Sequence, residues 1–138
     1  MIIVQPMQVF VSHGWEDRWI ARQIGRCIES VGATAFIDIF DLKKGDRIEA
    51  TIQAEIPKCD ELLVLLTPGS VRRNWVWTEV GAAWGLQKRI VGVIYGLTFD
   101  DIERNHGGMA ALGPRNCLPL NDLNDYIGEL AVRVKGGS

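Results

Sequence analysis

Glu61 to Glu79 reads ELLVLLTPGSVRRNWVWTE. Its first seven residues, Glu61–Thr67, carry a continuous apolar run, the mark of a strand covered on both faces. Pro68-Gly69-Ser70 breaks that run as a turn. A helix is expected from about Asn74 to Lys88. A fully apolar strand that hands on to a helix within a few residues is the unit of a parallel sheet.

The same alternation extends in both directions. Gln8–Ser12 (QVFVS) reads as a first strand. Ile20, Ile24, Cys27, Ile28 and Val31 then share one face of a helix. Gly32 stands just past its end, where a left-handed residue is wanted. Thr34–Ile39 (TAFIDI) is the second strand and Phe40–Gly45 (FDLKKG) the loop after it. Asp46 and Glu49 have capping-box spacing, so a helix starts there, with Ile48, Ile52 and Ile56 as its buried stripe and Pro57 as its stop. Downstream, Ile90–Tyr95 is a fourth strand. Leu97–Pro114 is Gly-rich and reads as irregular, with no more than a short helical turn. Cys117–Leu120 is a fifth strand at an edge, since Pro119 cannot donate to a ladder. The last helix, about Asp122 to Val134, buries Leu123, Ile127, Leu130 and Val134.

Five strands alternating with helices define a flavodoxin-like three-layer α/β fold, a five-stranded parallel sheet with helices on both faces. The 138 residues make one domain, with a core from about residue 8 to 134. Ligands in such folds bind at the carboxyl ends of the strands. The loops to search are therefore Ser12–Glu16, Ile39–Gly45, Thr67–Trp75 and Gly96 onward.

Composition narrows the function. There are 15 basic and 17 acidic residues, a net charge of −2. No basic cluster exceeds two residues, so neither nucleic acid nor an anionic membrane is an expected partner. No apolar stretch approaches the roughly 20 residues of a spanning helix, and MIIVQPMQVF lacks the features of a secretion signal. Cys27, Cys59 and Cys117 are odd in number and widely spaced, which fits reduced thiols in a cytoplasmic protein. Two isolated histidines make no zinc site, so no metal is expected. GxxxxGK[ST], GxGxxG and GxSxG are all absent.

The chemistry-bearing stretch is Asn74-Trp75-Val76-Trp77-Thr78-Glu79. Trp75 and Glu79 are four apart and share a helix face, near a helix N-terminus that favours a negative charge. A carboxylate beside an aromatic plate suits cleavage of an N-glycosidic bond, because it stabilises or attacks the sugar oxocarbenium ion. A core tryptophan with a solvated glutamate is the plainer alternative. Trp77 and Trp84 lie on another face and read as core or partner surface. In the second loop Lys43 and Lys44 offer charges to phosphates, or are solvated. His13 offers a hydrogen bond to a ribose or to a loop carbonyl.

Three pieces of this chain, in order, resemble the Toll/interleukin-1 receptor (TIR) domain. They are VFVSHGWED (Val9–Asp17), TAFIDIFDLKKGD (Thr34–Asp46) and LLVLLTPGSVRRNWVWTE (Leu62–Glu79). The resemblance runs from about Gln8 to Val134. It implies that Glu79 is catalytic and that the substrate is NAD+, cut at the nicotinamide–ribose bond to give nicotinamide and ADP-ribose or a cyclic isomer. It implies Ser12, His13 and Trp15 as pocket residues from the first loop, and Asp38, Phe40, Asp41 and Lys44 from the second. Trp75 would stack on a ring of the dinucleotide. Some active relatives carry an acidic residue where Phe40 stands here, which leaves hydrolysis against cyclisation open. NAD+ is then a substrate, with no separate cofactor. The expected partners are other TIR domains, in a homo-oligomer or filament, and a sensor or effector region, in immune or defence signalling. Two other readings stay open: a TIR interaction module without activity, and a nucleoside deoxyribosyltransferase-like enzyme that ignores NAD+.

Overall fold

The sheet grows outward from its most apolar strand. In the computed structural model, which describes residues 6–37, 46–106 and 111–136, all six residues of β3 (Glu61–Leu66) are buried. Parallel ladders flank it on both sides: β1 (Gln8–Ser12) and β4 (Arg89–Ile94). The outer strands are β2 (Thr34–Phe36), beside β1, and β5 (Cys117–Pro119), beside β4. The order is β2-β1-β3-β4-β5, parallel throughout. This is the doubly wound order, whose switch point lies between β1 and β3.

Side chains alternate across β3 into two cores. Leu63 and Leu65 pack with Val9, Val11, Ile24, Ile28, Tyr126 and Leu130, under α1 (Arg18–Ser30) and α5 (Leu123–Gly136). Leu62, Val64 and Leu66 pack with Phe10, Val76, Val80 and Ile102 on the other face. That face carries α2 (Asp46–Glu55), α3 (Asn74–Gly85) and α4 (Phe99–His106). Each fully buried Leu or Ile contributes about 2 kcal/mol relative to exposure, so β3 alone anchors both layers.

Local chemistry sets the element ends. Gly32 has φ +94° just beyond α1, as its position in the sequence requires. Within α1, Gly25 lies so close to Ile37 that a Cβ would sit 2.5 Å from its Cδ1, so β2 packs tightly on this helix. The second strand is shorter than the expected Thr34–Ile39, ending at Phe36, with residues 38–45 outside the described residues. The side chains of Asp46, Ile48 and Glu49 also lie outside them, although the helix does start at Asp46.

Two expectations are corrected. The α3 helix ends at Gly85 and not near Lys88. Gln87 takes φ 59° and Lys88 N–H bonds back to the Ala83 carbonyl (2.9 Å), so the chain turns directly into β4. The segment expected to be irregular contains α4, two turns long. Its start is a reciprocal cap: Thr98 N–H donates to Asp101 Oδ2 (2.9 Å) and Asp101 N–H to Thr98 Oγ1 (3.2 Å). Acidic Asp100 and Asp101 suit the first turn, and Ile102 anchors the helix in the core.

Candidate active site

The carboxyl ends of β1 and β3, where such folds bind ligands, are covered by three pieces of chain. The last residue of β1 is Ser12, beside Val64 of β3. His13 and Gly14 follow, then a 3-10 turn at Trp15–Asp17. From β3 the chain passes through Thr67-Pro68-Gly69 and a 3-10 turn at Ser70–Arg72 into α3. One turn into α3 stands Glu79, aimed back at β1.

Glu79 is only 1% exposed. Its Oε1 accepts a hydrogen bond from Ser12 Oγ at 2.6 Å, a buried contact between residues 67 apart in sequence. That length lies within the normal range for a hydroxyl donating to a carboxyl oxygen. Trp75, four residues before Glu79 on α3, is half-buried against the core cluster on this face of the sheet. Its indole Nε1 is shielded from solvent and meets no acceptor among the described residues. The Arg73 guanidinium lies 5.7 Å from the Trp75 ring centroid, within cation–π range.

The loops around this pair are stapled together by residues that the sequence reading passed over. Thr67 Oγ1 donates to Asp17 Oδ2. Ser70 Oγ donates to the Leu65 carbonyl (2.7 Å) and accepts from Thr67 N–H (2.9 Å), while Ser70 N–H donates to Thr67 Oγ1 (3.1 Å). Arg73 pairs with Glu16 across the same gap. A hydrogen bond from its own backbone N–H holds the Glu16 carboxyl below the usual carboxylate range; burial opposes it, and the Arg73 guanidinium adds to the lowering. The approach is so close that a Cβ on Gly14 would lie 3.3 Å from Ser70 Cα. The sequence signal for this staple is the Thr67-Pro68-Gly69-Ser70 turn, with hydroxyls at its first and fourth positions.

The sequence-nominated residues divide into three groups. Ser12 and Glu79 are in direct contact, and Trp75 shares Glu79's face. His13 is buried, with its Nδ1 3.3 Å from the Val11 carbonyl, and Trp15 is half-exposed with the Arg18 guanidinium 4.1 Å over its ring. Asp38, Phe40, Asp41 and Lys44 lie outside the described residues. Of the three other tryptophans, Trp77 is half-buried with its Nε1 donating to the Val71 carbonyl (2.9 Å), whereas Trp19 and Trp84 are exposed.

Other candidates for chemistry fall away. Burial pushes the Cys59 thiol up to about 12, helped by Glu55 and Asp60, and pushes Cys117 up to about 11, so neither is a thiolate at neutral pH. Among the described residues no group of three His, Cys, Asp or Glu is placed to hold a metal ion. A hollow of about 320 Å³ at the carboxyl ends of β4 and β5 is lined by Ile94, Leu97, Phe99 and Leu118. Another, of about 240 Å³, is lined by Arg89, Arg115 and Tyr126 at the opposite end of the sheet. Glu79 lines neither. No helix among the described residues is long and apolar enough to cross a membrane.

The fold and site define a doubly wound α/β domain with a buried, hydroxyl-bonded carboxylate at its switch point. A family model described as the TIR domain matches residues 9–128, and the chain belongs to that family. Among curated proteins it is similar to "2' cyclic ADP-D-ribose synthase BtTIR" of Bacteroides thetaiotaomicron, with 26% identity over 131 residues covering 91% of this chain and 44% of that protein. It is also similar to "NAD(+) hydrolase PdTIR" of Paracoccus denitrificans, with 22% identity over 102 residues, 70% of this chain and 34% of that protein. The chain thus spans less than half the length of these relatives. Among solved structures, the TIR domain of the Toll-related receptor TRR-2 of Hydra magnipapillata superposes with a TM-score of 0.62 at 20% identity, covering 91% of this chain and 94% of that one. The CMP N-glycosidase BcmB of Clostridium botulinum superposes at 0.56 and 14% identity, covering 91% and 98%. At these identities the structural likenesses show the fold alone.

Proposed function

We propose that this TIR domain cleaves NAD+ at the nicotinamide–ribose bond, with Glu79 as the catalytic carboxylate. The observation that carries the reading is the burial of Glu79 beside the switch point of the sheet, hydrogen-bonded to Ser12 and on the helix face of Trp75. Relatives named as an NAD+ hydrolase and a cyclic ADP-ribose synthase support it.

In the proposed reaction the bond from the ribose anomeric carbon to the pyridinium nitrogen breaks, and its electron pair leaves with neutral nicotinamide. The ribose becomes an oxocarbenium ion, whose positive charge the Glu79 carboxylate offsets. Water then adds to the anomeric carbon and loses a proton, giving ADP-ribose. Alternatively a nucleophilic atom of the same dinucleotide adds and gives a cyclic isomer. Trp75 stacks on a ring of the substrate, and Asp38, Phe40, Asp41 and Lys44 complete the pocket from the second loop, with His13 and Trp15 from the first. A signalling role, assembly with other TIR domains and a partner sensor region belong to the same proposal.

The test is nicotinamide release from NAD+ by the wild type and by Glu79→Gln at high protein concentration, with products separated by chromatography. Release by the wild type and none by the variant is expected. Equal release by both would remove Glu79 from the chemistry.

A further inference from the structure

We infer that Ser12 is a positioning residue, acting on the reaction through Glu79 by holding its carboxylate in place and in the ionised form. For its effect on turnover the inference rests on the proposed role of Glu79; for its effect on the carboxylate it does not.

The geometry leaves Ser12 little else to do. It is the last residue of β1, fixed in register against Val64 of β3, and is 1% exposed. Its side chain has a single rotor before the hydroxyl, so the donor stands at a point set by the sheet. Glu79 reaches that point from one turn into α3, a helix that packs on β1. The bond is 2.6 Å long and buried, where a hydrogen bond to a charged group is worth most. A carboxylate has free rotation about its last torsion, and a donor anchored in the sheet removes it. The same donor favours the charged form over the protonated one, which is the form an oxocarbenium ion requires.

The test compares wild type, Ser12→Ala and Ser12→Thr, the last keeping the hydroxyl. With glutamate labelled at the side-chain carboxyl by carbon-13, the Glu79 resonance is identified by its loss in Glu79→Gln, then titrated. Ser12→Ala moves its midpoint up by about one pH unit, and Ser12→Thr returns it toward wild type. The charged or titratable groups on the neighbouring loops, His13, Glu16, Asp17, Arg72 and Arg73, are the same in all three proteins, so their fields cancel in the comparison. In nicotinamide release from NAD+, Ser12→Ala lowers kcat about tenfold with KM within twofold, and Ser12→Thr recovers most of it. An unmoved Glu79 titration in folded Ser12→Ala overturns the inference. So does a raised KM with unchanged kcat, which makes Ser12 a substrate contact. If the wild type releases no nicotinamide, the functional reading fails while the titration still decides the role of Ser12. Should Ser12→Ala not fold, Ser12→Cys, similar in size and a weak donor, carries the same comparison.

Discussion

Among the described residues two glutamates are buried, at opposite ends of the sheet, and they are held in different ways. Glu61 opens β3 at the amino end of the sheet, and Glu79 faces its carboxyl end from α3. Glu61 is 2% exposed and accepts from Arg133 Nε (2.6 Å), Arg133 Nη2 (2.9 Å) and the Tyr126 hydroxyl (2.9 Å), with Arg89 at 3.9 Å. A guanidinium fork fixes both oxygens and neutralises the charge. Glu79 accepts at one oxygen from the neutral hydroxyl of Ser12. The first arrangement is what a fold needs to close β3 against α5. The second sets a serine hydroxyl against one oxygen of a buried carboxyl at the end of the sheet where such folds bind ligands. Burial alone therefore does not separate the two carboxyls; the partner and the end of the sheet do.

Glu79→Gln breaks this comparison most sharply. The amide still accepts from Ser12 but carries no charge to set against an oxocarbenium ion. Nicotinamide release should fall about 10³-fold, while the melting temperature stays level or rises because a buried charge is gone. The reverse is expected of Glu61→Ala. It strands Arg133, whose side chain is 18% exposed, and should cost about 3 kcal/mol in urea unfolding, the lower end for a broken buried pair. Activity per folded molecule should stay near wild type. A Glu61 variant that folds well but loses turnover would show that the two ends are coupled. A smaller effect tests the aromatic plate: Trp75→Leu keeps apolar packing against the core but removes the flat ring. KM for NAD+ should rise about tenfold, roughly the worth of one aromatic stack, with kcat less affected.

Much of this comparison was readable in the residues. The apolar run of β3, the Trp75 and Glu79 spacing and the left-handed Gly32 follow from local periodicity, and so the parallel sheet and the position of Glu79 were legible. The contact between Ser12 and Glu79 was not, because it joins residues 67 apart through the register of two strands and the angle of a helix. Glu61 looked like the polar first residue of a strand, since its partners stand 65 and 72 positions away. The α4 helix was missed for a different reason. Its Thr98-Phe99-Asp100-Asp101 cap is local, but the glycines that follow it masked the signal.

The smallest effect sharpens the amino-end site alone. Burial, and then the charge of Glu61 beside it, push the Tyr126 hydroxyl far above the usual tyrosine range. A group whose pKa is raised by folding stabilises the protein fully below its unfolded value, near 10, and loses that contribution as the pH rises beyond it. The unfolded chain ionises at this tyrosine above about pH 10 while the folded chain keeps the proton. Stability should therefore fall there by up to about 1.4 kcal/mol per pH unit from this residue, with Cys59 and Cys117 adding to the slope from about pH 9. Tyr126→Phe loses about 1 kcal/mol at pH 7 with the hydrogen bond to Glu61, and its stability then declines less steeply than that of the wild type between pH 10 and 11. Urea midpoints measured across that range check it. Parallel curves for the two proteins would mean that Tyr126 ionises in the folded state, and that the Glu61 cluster is looser than its hydrogen bonds imply.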